Sequence, residues 1–214
     1  MARIKALLFD LDGVIVSTEK NHFKAWRETA SKLGIPFSEH DNEALKGVNR
    51  VDSLKQILKL GNKTVSAEEF ESLLVFKNDM YLDSITTLSK ADLLPGVYSL
   101  LLQAKSMGVK IGLGSSSKNA PMILSRLGIT DLFDAVIDGN GVKYPKPDPE
   151  VFLNGAKALA LSPSDCLVFE DANSGVAAAK AGGFIAIGVG NPLLKGVADI
   201  YFNDLTEFRL EEYA

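Results

Sequence analysis

Cysteine is almost missing from this chain. Cys166 is the single one among 214 residues, so no disulfide can form within the chain. Such sparing use fits a reducing compartment. Cys166 sits in the apolar run "CLVF", where an inert core thiol is the expected role. A basic excess is missing too. There are 23 Lys and Arg against 27 Asp and Glu, a formal net charge of -4. No basic tract marks a nucleic-acid surface. Locally gathered Lys and Arg around a substrate with several phosphates stay compatible with that balance. No apolar run has the length of a bilayer span. The first apolar stretch is broken by Asp10 and Asp12, unlike a signal peptide. Repeats and low-complexity segments are absent. The expectation is a soluble cytoplasmic protein, monomeric by default, with neither nucleic acid nor membrane as partner.

What is present is a large apolar share, 46% of the residues. That is enough for a sizeable core in one domain, or in one domain carrying an insertion. Four runs read as buried parallel strands because they are continuously apolar rather than alternating. They are "IKALLFD" at Ile4, "VKIGLGSS" at Val109, "CLVFED" at Cys166 and "FIAIGVG" at Phe184, with "DAVID" at Asp134 as a shorter fifth. Between them lie the helical stretches "VYSLLLQAKSMG", "APMILSRLG" and "PEVFLNGAKALAL". The first two are closed by Gly108 and Gly128. Alternating strand and helix predict an α/β fold with a parallel sheet. Thr18 to Ala91 differs, because its periodicity is helical throughout and "SAEE" at Ser66 is a capping-box pattern. The predicted organisation is a discontinuous core, residues 1–17 and 92–214, with an inserted helical cap, residues 18–91.

In an open parallel sheet, ligands bind beyond the carboxyl ends of the strands. Asp10 and Asp12 fall there. So do "GSSSK" after the second strand, the lysine of "PKPDP", and "FEDANSG" after the Cys166 strand. Several carboxylates in one place repel one another. A divalent cation and a fixed Lys would offset that, and an all-oxygen site suggests Mg2+.

This constellation resembles the haloacid dehalogenase superfamily. The resemblance rests on "DLDG" with Asp10 and Asp12, on Ser115, on Lys146 of "KPDP", and on the acidic pair Glu170 and Asp171, in that order along the chain. Within the superfamily, "HFKAWRETASKLGI", "NEALKGVNRVDSLKQIL", "FKNDMY" and "GSSSKNAP" resemble the β-phosphoglucomutase family. That family interconverts β-D-glucose 1-phosphate and D-glucose 6-phosphate through an aspartyl phosphate and β-glucose 1,6-bisphosphate. The resemblance implies Asp10 as nucleophile, ionised at neutral pH and needing no separate base, and Asp12 as general acid and base. It implies that Asp10, Glu170, Asp171 and the main-chain carbonyl of Asp12 hold Mg2+. Ser115, Ser117, Lys118 and Asn119 would bind the transferring phosphate, with Lys146 neutralising phosphate and nucleophile. An ordinary strand-to-helix cap is the competing account of the serines, and an acidic N-cap region before the helix "SGVAAAKAGG" that of Glu170 and Asp171, although Asn173 or Ser174 is the better cap candidate there.

In the cap, His22 and Trp26 stand at i and i+4 on one helix face. A packed core pair competes with the implied roles, His22 at Asp12 and Trp26 at the sugar. Lys46, Gly47, Val48, Arg50 and Ser53 match the family's specificity loop, Arg50 as a clamp for the phosphate not being transferred. Lys77 and Asn78 would reach the sugar; a solvated helix face competes for the charged ones. Two departures stand out. Ser17 precedes Thr18 where the family usually reads D-x-T, and "GNGVKYPK" before Lys146 differs from its usual small-residue run. A sugar-phosphate phosphatase and a non-catalytic phosphosugar-binding protein are the competing functions.

Overall fold

The computed structural model describes residues 3–45 and 47–214. Lys46 of the expected specificity loop lies outside the described residues. The chain divides into two compact units: the residues through Ser17 together with Leu88–Ala214, and Thr18–Thr87.

The strands are β1 (Ala6–Phe9), β2 (Lys110–Gly114), β3 (Ala135–Ile137), β4 (Cys166–Glu170), β5 (Ile185–Val189) and β6 (Ile200–Phe202). The helices are α1 (Glu19–Lys32), α2 (Glu39–Glu43), α3 (Arg50–Leu60), α4 (Ala67–Ser84), α5 (Val97–Ser106), α6 (Ala120–Arg126), α7 (Glu150–Ala158) and α8 (Asn173–Ala181).

In the first unit the strands form one sheet in the order β3-β2-β1-β4-β5-β6, every pair parallel. Helix α7 packs on β1, β2 and β3, α8 on β4 and β5, and α5 on β2. One face buries Leu8, Phe152, Val168, Val176 and Ala186 in a single cluster. Neighbours along the strands point the other way, where Phe9 stacks on Phe169 at 4.8 Å. Both faces are covered, which is why these strands read as unbroken apolar runs. Strand β6 was not predicted. It is three half-buried residues at the sheet edge, too short to carry that signature. The chain winds outward from β1 through β2 to β3, then restarts at β4 on the other side of β1. This reversal places a crevice for ligands at the carboxyl ends of β1 and β4.

The second unit is helical. Trp26, Ala30, Leu54, Ile57, Leu73 and Leu74 form its core. At "SAEE" the Ser66 side chain accepts the Glu69 N–H at 3.1 Å. Helix α2 was not predicted; its five residues start from a full capping box between Ser38 and Asp41. Residues 88–91, expected in the cap, lie with the sheet unit. There a short 3-10 turn over Lys90–Asp92 is capped by Ser89, and Lys90 covers the Tyr98 ring at 3.5 Å. Among the described residues no helix is long and apolar enough to cross a membrane.

Candidate active site

Strand β1 runs directly into Asp10, whose N–H still donates to the Phe169 carbonyl at 2.9 Å. Strand β4 ends at Glu170 and hands on to Asp171. The register Phe9↔Phe169 therefore sets the acids of "DLDG" beside those of "FED". Carboxylate oxygens of Asp10, Glu170 and Asp171 lie within 4.8 Å of one another.

Lys146 reaches this cluster from the loop after β3. Its Nζ donates to Asp10 Oδ1 at 2.6 Å, Glu170 Oε1 at 2.6 Å and the Gly114 carbonyl at 3.0 Å. One ammonium thus ties together the ends of β1, β4 and β2. Burial favours the uncharged amine, but the carboxylates of Asp10 and Glu170 outweigh it and hold the Lys146 pKa above its ordinary value. The loop that carries it, "GNGVKYPK", is pinned by a residue the sequence reading missed. Glu150 in the first turn of α7 accepts the N–H groups of Lys143 at 3.0 Å and Tyr144 at 2.6 Å.

Burial pushes the Glu170 and Asp171 pKa values up. Lys146 opposes the push at both, most strongly at Glu170, while neighbouring acids add to it: Asp10 at Glu170, and Glu170, Asp10 and Asp12 at Asp171. Space for these acids comes from two glycines. A Cβ at Gly13, where φ is +86°, would overlap the Asp171 carboxylate, and a Cβ at Gly175 would overlap that of Glu170. A nest of carboxylates held by Lys146, with space left by two glycines, fits a hard divalent metal ion. The Asp12 side chain is not among the three clustered acids.

Helix α8 begins one residue earlier than its sequence suggested. Ala172, rather than Asn173 or Ser174, is the N-cap, and no side chain of its own caps the helix. Ahead of the helix, Glu170 Oε2 turns forward and accepts the N–H groups of Asp171 at 3.1 Å and Ala172 at 3.2 Å. The competing account of an acidic N-cap does not hold: neither acid caps α8, and the Glu170 carboxylate instead orders the turn that leads into it.

At the end of β2, Ser115 is buried. Its Oγ accepts the Ser117 N–H at 3.1 Å, and the Ser117 Oγ accepts the Asn119 N–H at 3.2 Å. The hydroxyls therefore shape the entry to α6, as a plain capping role requires. They also stand next to Gly114, the backbone partner of Lys146. Lys118 is exposed, and Asn119 occupies the N-cap position of α6.

In the helical unit, Trp26 lies in the core, as the competing account held. Lys77 is buried rather than solvated, at 3% exposure. Its Nζ approaches His22 Nδ1 at 2.7 Å and stands 4.8 Å from the ring centres of both Trp26 and Tyr81. Tyr81 was missed. It stacks on His22 at 4.1 Å and exchanges a hydrogen bond of 2.9 Å with Thr18. The spacing Lys77–Tyr81 is the same i, i+4 signal that marked His22 and Trp26. Burial, then the charges of Lys77 and Arg50, hold the His22 pKa well below its usual value. Arg50 opens α3 behind the N-cap Asn49 and is drawn to Asp79. Ser53 turns its hydroxyl back to the Asn49 carbonyl at 2.9 Å. Gly47 is exposed with φ of +73°, and Val48 and Asn78 are half-buried.

A β-phosphoglucomutase of Bacillus subtilis is 45% identical over 213 residues, 97% of this chain and 93% of that protein. A fructose-1-phosphate phosphatase of Escherichia coli is 33% identical over 87% of this chain and 97% of its own length. The crystal structure of a β-phosphoglucomutase from Clostridium difficile superimposes with a TM-score of 0.94 at 41% identity, covering 98% of this chain and 95% of that one. The family model for haloacid dehalogenase-like hydrolases matches residues 4–183, a span that takes in Asp10, Ser115, Lys146, Glu170 and Asp171. With the acids and the lysine joined at the strand ends and a match of this extent, the chain belongs to the haloacid dehalogenase-like hydrolase family.

Proposed function

We propose that this protein is a β-phosphoglucomutase, an isomerase that interconverts β-D-glucose 1-phosphate and D-glucose 6-phosphate. The observation that carries the reading is the likeness to the Bacillus subtilis enzyme, which extends over 97% of the chain at 45% identity and so includes the helical unit. In this reading an Asp10 carboxylate oxygen attacks phosphorus of β-glucose 1,6-bisphosphate. An acyl phosphate forms, the bond from phosphorus to the sugar oxygen breaks, and Asp12 gives its proton to that oxygen. In the return direction Asp12 takes a proton from the other hydroxyl as it attacks the aspartyl phosphate. Lys146 holds Asp10 in line and neutralises charge on the phosphoryl oxygens. Ser115, Ser117, Lys118 and Asn119 bind the transferring phosphate. His22, Trp26, Gly47, Val48, Arg50, Ser53, Lys77 and Asn78 serve the sugar and its second phosphate, Arg50 through its planar fork. Asp10, Glu170, Asp171 and the main chain of Asp12 would hold Mg2+, which when bound offsets the negative charge gathered among the carboxylates and the phosphate.

The second reading is a sugar-phosphate phosphatase, favoured by the 33% identity to the Escherichia coli enzyme. Both readings require a nucleophile, and Asp10→Asn tests that common step. Wild-type protein quenched during turnover with radiolabelled bisphosphate should carry acid-stable label. Asp10→Asn should carry none and lose turnover by more than about a thousandfold, since the amide cannot attack phosphorus. Label on the variant would mean that another residue is phosphorylated.

A further inference from the structure

We infer that Asn191 is a positioning residue for the acid pair Glu170 and Asp171, acting through the peptide between Asp171 and Ala172. The inference rests on the reading that those acids hold a divalent cation. That peptide sits where two regular structures leave off. The β4–β5 ladder ends at Glu170↔Gly188, and the first carbonyl of α8 to accept within the helix is that of Ala172. The Asp171 carbonyl, between the two, accepts Asn191 Nδ2 at 2.9 Å. The N–H of the same peptide, on Ala172, donates to Glu170 Oε2 at 3.2 Å. One peptide plane is thus clamped at both ends, and turning it would move Asp171 and release Glu170 together.

Asn191 is itself held from three directions. Its own N–H donates to the Val189 carbonyl at 2.8 Å around Gly190, where φ is +73°. That is the uncommon γ-turn with a left-handed centre. Its Oδ1 accepts the Leu193 N–H at 3.1 Å, which fixes the amide orientation, because a carbonyl can only accept and an N–H only donate. Three residues on, Leu194 is fully buried in the sheet's core cluster. The amide is therefore presented to Asp171 by an anchored turn, and partners of metal ligands held this way set ligand geometry.

The test is equilibrium titration of Mg2+ into the full chain for wild type, Asn191→Ala, Asn191→Ser and Asp171→Asn, with thermal midpoints in chelator. A serine hydroxyl still reaches the Leu193 N–H but is too short for the Asp171 carbonyl. Both Asn191 variants should bind Mg2+ about three- to tenfold more weakly, as expected for one lost neutral hydrogen bond. Asn191→Ala, which loses both side-chain hydrogen bonds, should lower the thermal midpoint more than Asn191→Ser, which loses one. Wild-type Mg2+ affinity in Asn191→Ser would show that the side chain merely caps its loop and would overturn the inference. Asp171→Asn should weaken Mg2+ binding far more. Unchanged binding there would remove the metal site itself, and the inference with it.

Discussion

An ammonium only donates, so the 2.7 Å approach of Lys77 Nζ to His22 Nδ1 leaves Nδ1 unprotonated and places the ring proton on Nε2. His22 is then a neutral donor through Nε2, consistent with a pKa held low by burial and by the Lys77 and Arg50 charges. Nitrogen-resolved NMR at about pH 6 should show the Nε2–H tautomer, uncharged although free histidine is half charged near pH 6.5. Lys77→Met should raise the His22 pKa and release the tautomer. The linkage sign follows: with a folded pKa below the unfolded one, the contribution to stability is complete above about pH 6.5. It is lost as pH falls toward the folded pKa, because the unfolded chain takes up a proton the folded one refuses. Wild type should therefore lose stability on mild acidification more steeply than His22→Gln. A His22 titration midpoint at or above 6.5 would contradict this environment.

Turns and helix starts, more than whole helices, build the acid cluster. The turn into α8 is ordered by Glu170, and Glu170 owes its room to Gly175, where a methyl group would overlap the carboxylate. Gly175→Ala should cost about 1–3 kcal/mol through overpacking, despite alanine's better helix propensity. It should also weaken Mg2+ binding. Gly108, at φ of +71° with open space around its missing Cβ, is the control: Gly108→Ala should cost stability and leave Mg2+ binding alone. Equal Mg2+ affinity in Gly175→Ala and wild type, measured by titration, would separate Gly175 from the site.

The same scale explains what could be read in advance. Strands β1, β2, β4 and β5 announced themselves because both faces are buried, and each long helix showed its period. Glycine punctuation also worked at Gly108 and Gly128, both with positive φ. The α8 cap failed as a sequence reading because the helix starts behind Ala172 with no side-chain cap, and the polar side chain nearby, Glu170, is spent on the turn ahead of it. Glu150, Asn191 and Tyr81 were illegible singly, since each matters through a partner that only the fold brings near. The buried state of Lys77 was hidden for the same reason. One helix shows which of its residues share a face, but not that rings from α1 will enclose a lysine from α4.

Across the whole molecule, a chain with net charge of -4 gathers acids at the carboxyl ends of its two central strands and sets the buried Lys146 against them. That arrangement suits a site completed by a cation and by an anionic substrate. The sequence carried the order of these groups, Asp10, Ser115, Lys146, Glu170, along the full chain. It carried less about acceptor choice, which separates a mutase from a phosphatase. Phosphorus NMR of the protein with β-D-glucose 1-phosphate, Mg2+ and a trace of β-glucose 1,6-bisphosphate decides that choice. The account predicts that the glucose 1-phosphate signal is replaced by that of glucose 6-phosphate, with inorganic phosphate a minor product. Release of inorganic phosphate with no glucose 6-phosphate formed would contradict it.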